Sequence, residues 1–187
     1  MAFDHINNLP VDPRPSKDRS PATPQQVFDA VAEVAAHSKI KAIAAGWGFS
    51  TAGCTDGLRL RMPSISGVEP ADCLRADVRS RPFDEDPIVP NEAPGPLMRV
   101  YAGTPFDFLN QQLGAITVVN QPGFGGLTFG GVMMVGGHGS GLRRGNIASQ
   151  VRSMDLIVVN EAFEAELLRL EPKRDPITDT ASFQNKY

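Results

Sequence analysis

Apolar residues first recur at a helical interval after residue 20. A capping-box start at Thr23 precedes a run in which apolar side chains lie three or four positions apart, namely Val27, Val31, Val34 and Ala35. This pattern predicts an amphipathic helix that ends near His37. The apolar run over 40–45 then stops at the sequence Gly46-Trp47-Gly48, which is typical of a buried strand that leads into a glycine loop.

The same reading of the apolar pattern predicts a second strand-turn-helix unit further along the chain. Short runs of alternating or β-branched residues predict strands at 58–62, 97–101, 116–119 and 155–159. After the strand at 97–101, Thr104 is predicted to cap a helix whose shared apolar face consists of Phe106, Leu109 and Leu113.

Changes in composition divide the chain into four parts. Residues 1–20 carry prolines among charges, which indicates an extended N-terminal arm with few means of burying itself. A first folded unit is predicted over 21–75, a Pro-rich linker over 76–96 and a second unit over 97–187. Because the segment after residue 161 begins another element and stops, we expect the second unit to be truncated.

Charge and cysteine content exclude several classes of function. The formal net charge is -3 and the chain has no long basic run, so nucleic acid and anionic membranes are not expected partners. Cys54 and Cys73 form neither a disulfide framework nor a zinc site, and we interpret both as free thiols. No stretch approaches the roughly 20 apolar residues of a spanning helix and no leader is visible. We therefore expect a soluble, cytoplasmic protein without a metal.

The first candidate site is the loop from Gly46 to Gly53. Glycines after a buried strand permit a turn that directs successive backbone N–H groups at one point, and such a nest binds phosphate. A simple strand-ending turn is the alternative. Thr51 occupies the third-glycine position of a dinucleotide fingerprint, and neither a Gly-Lys-Ser/Thr phosphate loop nor a Gly-x-Ser-x-Gly elbow is present, which argues against NAD, ATP and esterase readings.

The second candidate site is richer in glycine. Nine glycines lie within 120–132 and 136–141. Each glycine inside an element costs roughly 0.5–1 kcal/mol relative to alanine, so this density indicates a large, flat ligand against the backbone. A set of tight loops or a glycine-rich sheet edge is the alternative interpretation.

In their order, these motifs resemble the FAD-binding (PCMH-type) domain of the vanillyl-alcohol oxidase and p-cresol methylhydroxylase superfamily, which includes aldonolactone, alditol and sterol oxidases. The resemblance runs from about Pro21 to Val159 and is carried by 46–50, 101–104, 121–123, 128–131 and 137–141. It implies an α+β fold of two subdomains with FAD between them: a small parallel sheet with helices, then a larger mixed or antiparallel sheet with helices.

Carried over residue by residue, the resemblance implies a set of cofactor-binding positions. The pyrophosphate loop would be Gly46, Trp47, Gly48, Phe49, Ser50 and Thr51. Lining the flavin and its ribityl-phosphate chain would be Pro122, Gly123, Thr128, Gly130, Gly131, Gly136, Gly137, His138, Gly139, Ser140 and Gly141. His138 either donates a hydrogen bond to the cofactor or is a small polar packing residue bonded to neighbouring backbone.

The function implied is that of the FAD-binding portion of an oxidoreductase that acts on an alcohol, sugar lactone or sterol-like substrate by hydride transfer. The substrate would be bound by a cap domain that this sequence lacks, and no catalytic residue can be assigned. A free-standing FAD-binding module that acts with a separate partner chain is the alternative. Many family members attach the flavin through a histidine in the first loop, where this sequence has Phe49, so we expect non-covalent FAD.

Overall fold

The computed structural model describes residues 5–6, 9–10, 13–34, 39–48, 50–80, 97–141, 145–174 and 176–183. The strands are β1 (His5–Ile6), β2 (Leu9–Pro10), β3 (Lys17–Arg19), β4 (Ile40–Ile43), β5 (Leu58–Arg61), β6 (Val68–Pro70), β7 (Met98–Val100), β8 (Met154–Val159) and β9 (Ala165–Leu170). The α-helices are α1 (Pro24–Val34), α2 (Ala76–Ser80), α3 (Phe106–Leu113) and α4 (Phe129–Met134).

A three-stranded parallel sheet in the order β3-β5-β4 forms the first half of the structure. The apolar side chains of β5, Leu58 and Leu60, are buried against the predicted stripe of α1, Val27, Val31 and Val34. Each of these five side chains is at most 7% exposed. The helical spacing read from the sequence therefore identifies the first core, because one face of α1 covers one face of the sheet.

The N-terminal arm is less isolated than predicted. Lys17, Asp18 and Arg19 pair in parallel register with Leu58, Arg59 and Leu60, so the end of the arm supplies an edge strand of the sheet. Asp18 then lies beside the guanidinium groups of Arg59 and Arg61 on the face opposite α1. Apolar periodicity missed this strand because a three-residue edge strand of charged side chains carries no such signal.

The remaining strands form antiparallel pairs, β1 with β2, β6 with β7, and β8 with β9. α1 also packs against β8 and β9, with Ile157 and Ala165 adjoining the first core. A second core contains Phe106, Leu109, Val132 and Ile147. The architecture is thus a mixed arrangement of helices with a small parallel sheet and antiparallel sheets. No helix in the described ranges is both long and apolar enough to cross a bilayer.

One predicted strand is shorter in the structure, and another does not form. The run predicted as a buried strand over 40–45 forms β4 only as far as Ile43, and Lys41 and Ala42 are exposed because β4 is an edge strand. Residues 116–119 form no strand, and Ile116 and Val119 remain 40% and 49% exposed. β-branched residues favour a strand only where a neighbouring strand can pair with them.

The predicted helix cap at Thr104 was wrong. α3 begins after Pro105, which provides no side-chain cap. The fully buried Thr104 hydroxyl instead exchanges hydrogen bonds with the backbone of Gly67, at 3.0 Å to its nitrogen and 3.1 Å to its oxygen. Thr104 therefore ties the start of α3 to the turn before β6.

The predicted boundaries at 75 and 97 separate strands that pair with each other. β6 lies before the predicted linker and β7 after it, yet Val68 pairs with Val100. The linker region contributes α2, and its remainder over 81–96 lies outside the described residues. After β9 the chain returns to the body, where Ile177 and Thr178 are buried and Thr178 bridges Leu74. The four-part division stays a prediction.

Removal of the charge at Asp18 should destabilise the fold. Burial raises the pKa of Asp18, but hydrogen bonds from Arg59 and Arg61 lower it by more, so the carboxylate is favoured in the folded state. Asp18→Asn leaves the buried Arg59, 2.5 Å away, without its counter-charge. Because the Asp18 side chain is 34% exposed, we expect a loss of about 1–3 kcal/mol in the free energy of unfolding, below the cost for a fully buried pair.

Chemical denaturation at several pH values checks this expectation. The lowered pKa means that the contribution is complete above about pH 4, near the value of an unfolded aspartate, and is lost as the pH falls through the folded pKa. The difference between wild type and Asp18→Asn should therefore shrink in acid. Asp56→Asn, which breaks the exposed Lys39–Asp56 pair, is the control and should change little. Equal effects of the two substitutions would contradict the assignment.

Candidate functional site

Three contacts bring the glycine-rich segments of the sequence to one place. The rings of Trp47 and Phe124 meet edge to face with centroids 5.0 Å apart. A Cβ on Gly131 would lie 2.7 Å from the Cβ of Ala44, at the end of β4. A Cβ on Gly123 would lie 3.9 Å from the Ser140 hydroxyl. The loops predicted to share a ligand are therefore neighbours.

The loop over 46–48 has the features of an anion-binding backbone. It follows the carboxyl end of β4, where ligands of open parallel sheets bind. Within the described part of the chain, the N–H groups of Gly46, Trp47 and Gly48 have no hydrogen-bond acceptor. Gly46 has a φ of +80°, which favours glycine, and a Cβ on Gly48 would meet nothing within 4 Å. These N–H groups are available to a ligand.

The rest of the first loop is partly committed to local structure. The Ser50 hydroxyl accepts a hydrogen bond from the Ala52 N–H at 3.4 Å and caps a short 3-10 helix over Thr51–Gly53. The Thr51 carbonyl accepts a hydrogen bond from the Cys54 N–H at 2.9 Å. Phe49 lies outside the described residues. The predicted loop therefore divides into open backbone at 46–48 and a capped turn after it.

The segment Thr128–Gly131 uses its backbone for packing. The Thr128 hydroxyl caps α4 by accepting a hydrogen bond from Gly131, and the N–H groups of Phe129 and Gly130 donate to the carbonyls of Thr104 and Ala102. A Cβ on Gly130 would lie 2.8 Å from the Ala102 oxygen. Gly130 and Gly131 are thus explained by the close approach of α4 to neighbouring chain. Whether they also line a cofactor stays a prediction.

The loop Gly136–Gly141 follows α4 and combines open and tethered backbone. Gly136 and Gly139 have φ values of +71° and +70°, which disfavour any other residue. Gly137 donates to the Val132 carbonyl, and Ser140 donates to the carbonyl of Gln121, the residue before Pro122. The His138 side chain is exposed and makes no hydrogen bond in the described part of the chain. The predicted packing role for His138, with its ring bonded to neighbouring backbone, therefore has no contact to support it.

Asn120 is the side chain in this region that sequence reasoning did not single out. It is 4% exposed and directly precedes the glycine-rich segment over 121–126. Its amide nitrogen donates to the carbonyls of His138 and Gly145, at 2.5 and 2.8 Å, and its amide oxygen accepts from the Gly141 N–H at 3.0 Å. The available signal was an amide residue next to a run of glycines, where backbone groups lack other partners.

A cleft of about 1460 Å³ adjoins these loops. Its walls come from α1, β4, the segment 97–102, α4 and β8, and it meets the glycine segments at Ala44, Gly130 and Gly131. Residues 46–48 and 136–141 are outside its lining. Pockets for drug-sized ligands are about 300–1,000 Å³, so the cleft has room for a ligand of dinucleotide size.

The charged groups on one wall of this cleft neutralise each other. Asp155 on β8 pairs with Arg99 at 2.6 Å and with Arg169 at 2.7 Å, and Asp72 adds a second carboxylate to both arginines. Burial raises the pKa of Asp155, but hydrogen bonds from Arg169 and Arg99 lower it by more. Asp155 is therefore ionised at neutral pH, and the two carboxylates balance the two guanidinium groups. Among the described residues, no cluster of acidic, histidine or cysteine side chains is suited to a metal ion.

Two solved oxidoreductases share this fold. Cholesterol oxidase from B. sterolicum matches with a TM-score of 0.60 at 18% sequence identity, over 82% of this chain and 29% of that one. GilR, an oxidoreductase that catalyses the terminal step of gilvocarcin biosynthesis, was solved in complex with pregilvocarcin and matches with a TM-score of 0.57 at 19% identity, over 82% of this chain and 28% of that one. No family model and no curated protein sequence matches the chain.

These matches confirm the resemblance stated from the motifs at the level of fold. The chain shares its fold with part of cholesterol oxidase and with part of GilR. It spans less than a third of the length of either oxidoreductase.

Alanine substitution should destabilise the fold at glycines that pack closely against neighbouring chain, and should have little effect at glycines that face open space. Gly130→Ala forces a Cβ to within 2.7 Å of the Cβ of Ala102, so we expect a loss of about 1–3 kcal/mol in the free energy of unfolding. Gly48→Ala places a Cβ in open space and should leave stability nearly unchanged. Urea unfolding of both variants without any ligand checks the difference. Equal stability of the two would overturn the packing role of Gly130.

Proposed function

We propose that this chain binds FAD and forms the cofactor-binding portion of a flavin-dependent oxidoreductase. The observation that carries the proposal is the backbone N–H group at each of Gly46, Trp47 and Gly48, which has no acceptor among the described residues and lies beside the other glycine-rich loops. The shared fold with two oxidoreductases supports the same reading, and so does the size of the adjoining cleft.

The chemistry of FAD fits the groups available at the site. A pyrophosphate is an anion that a nest of N–H groups binds without side-chain charge, which suits a loop with no Lys or Arg over 46–53. Flat rings need close approach to backbone, and the segments 128–131 and 136–141 offer surfaces with few side chains. The N–H groups of Phe129 and Gly130 are already paired, so that segment would contact the cofactor through van der Waals packing.

In such an oxidoreductase, bound FAD supplies the redox chemistry by accepting a hydride at its flavin ring. The residues of this chain would bind the cofactor, exclude water from one side of it and fix its orientation. His138, with an exposed ring and free ring nitrogens within the described structure, is the side chain we assign as hydrogen-bond donor to the cofactor. No catalytic acid or base is assigned.

The proposal extends to a class of substrate. One similar structure is a cholesterol oxidase and the other was solved with pregilvocarcin. We propose an oxidase or dehydrogenase that acts on an alcohol, sugar lactone or sterol-like substrate, with a cap domain over the flavin. A free-standing module with a separate partner chain is the second candidate, and saturable alcohol oxidation after mixing with such a chain would favour it.

Excess FAD should raise the melting temperature of the 187-residue chain, and NAD should not. A ligand that binds only the folded state adds RT ln(1 + [L]/Kd), or about 2.7 kcal/mol at a hundredfold excess over Kd. Thermal unfolding followed by circular dichroism with each nucleotide measures the shift. Gly48→Ala is the matched variant, because it adds a methyl group beside the N–H groups of the loop 46–48 without a packing clash. It should keep the unliganded melting temperature and lose most of the FAD shift. A shift with NAD and none with FAD would reverse the cofactor assignment.

We also propose that the FAD is held without a covalent bond. Phe49 has no nucleophile, and the nearest thiol, Cys54, is only partly exposed beyond the capped turn. Acid precipitation of the yellow protein should therefore leave the flavin in the supernatant, as measured by its absorbance. Flavin that remains in the pellet would contradict this, and Cys54→Ser would then test whether that thiol forms the link.

A further inference from the structure

The amide of Asn120 hydrogen-bonds to backbone groups within the loop 136–141, which carries His138, and just after it. One bond reaches the His138 carbonyl, another the Gly141 N–H and a third the Gly145 carbonyl. Because Asn120 is only 4% exposed, these bonds are shielded from water. Loss of its amide nitrogen would leave the carbonyls of His138 and Gly145 without this hydrogen-bond donor. A single side chain thus holds the loop at His138 and at its last residue, Gly141, and also contacts Gly145 beyond it.

The loop is also shaped around this amide. A Cβ on Gly139 would lie 2.2 Å from the Asn120 amide oxygen, so only glycine leaves room for the amide at its observed place. Asn120 is itself held from the other side, because the Gln150 side chain donates to its carbonyl at 3.0 Å and accepts from the Val119 N–H at 2.8 Å. The anchor therefore has a fixed position relative to the second core, to which the nearby Ile147 belongs.

The backbone and the side chain of His138 therefore have different surroundings. The backbone of His138 faces inward to Asn120, while the imidazole is exposed on the outer side. A side chain whose own backbone is tethered loses less conformational freedom when it meets a ligand, and such preorganisation increases affinity.

We infer that Asn120 is the positioning residue of the cofactor site: it holds the 136–141 loop so that His138 and the loop backbone meet the flavin in one arrangement. The inference rests on the proposed binding of FAD. Asn120 does not touch the cofactor in this account and acts through the loop.

Asn120→Asp tests the inference with almost no change in shape. The carboxylate can still accept from Gly141 but cannot donate to His138 and Gly145. Asn160→Asp is the matched control, because in the described part of the chain the Asn160 side chain accepts from the Ala162 and Glu164 N–H groups and donates to no group. A carboxylate accepts equally well. If Asn120→Asp does not fold, Asn120→Ser takes its place, since it removes the anchor without adding a charge.

Two measurements are made on each variant. Without FAD, the hydrogen-bonded N–H groups of Ser140 and Gly141 should exchange at least about tenfold faster in Asn120→Asp, with β5 unaffected, because the loop opens more readily once the two bonds donated by Asn120 are lost. With FAD, the Kd should rise about 10- to 100-fold, as it does when residues that orient a ligand-binding group are lost at metal sites. Neither quantity should change in Asn160→Asp.

A double-mutant cycle with His138→Ala adds a test that a general loss of stability would not satisfy. If Asn120 acts through the loop and His138, its substitution should change the Kd less in the His138→Ala background than in wild type. Additive effects would overturn the positioning role, as would faster exchange with an unchanged Kd. Unchanged exchange would overturn the anchoring itself. If the wild-type chain does not bind FAD, the proposed function is wrong, and the inference that rests on it is wrong as well.

Discussion

The candidate site depends on the close approach of the first turn of α4 to two other parts of the chain. Gly130 lies against Ala102, and Gly131 lies against Ala44 at the end of β4, at distances that no Cβ would allow. This contact joins the parallel sheet to the segment that follows β7. Because Ala44 leads directly into the loop at 46–48, the approach also sets the distance between the first glycine loop and the second. The Trp47–Phe124 ring contact and the tether at Asn120 build on that arrangement.

A backbone-lined site suits an acidic chain. With a net charge of -3 and no basic residue over 46–53, affinity for a phosphate has to come from N–H groups, which keep their partial charge whatever the surrounding side chains are. The affinity of such a site depends little on side-chain identity and strongly on backbone geometry. The described contacts of the site accordingly involve glycines with positive φ and the buried side chains of Thr128 and Asn120. On the cleft wall, Asp155 is paired with Arg99 and Arg169.

The sequence indicated the segments of the site better than it indicated why each residue is there. The helix with Val27, Val31 and Val34 was predictable, because apolar spacing reports directly on burial. The strand before Gly46 was predicted in the right place, but as too long and as buried, because the sequence does not show that β4 is an edge strand. The packing roles of Gly130 and Gly131 were not, since they depend on Ala102 and Ala44, which are distant in sequence. Thr104 and Asn120 were misread or passed over for the same reason: a buried polar side chain is explained by its partners, and those appear only in the folded chain.

The central claim, that the glycine loops bind FAD, can be tested most directly with the single tryptophan of the chain. Trp47 lies in the loop 46–48, whose N–H groups have no acceptor in the described part of the chain, and its ring is half exposed. A flavin nucleotide bound beside it should therefore quench its emission. Titration of the chain with FAD should give saturable quenching with one-site stoichiometry, and NAD at the same concentrations should not. A linear decrease in emission without saturation, the same for FAD and for NAD after correction for absorbance, would contradict the account.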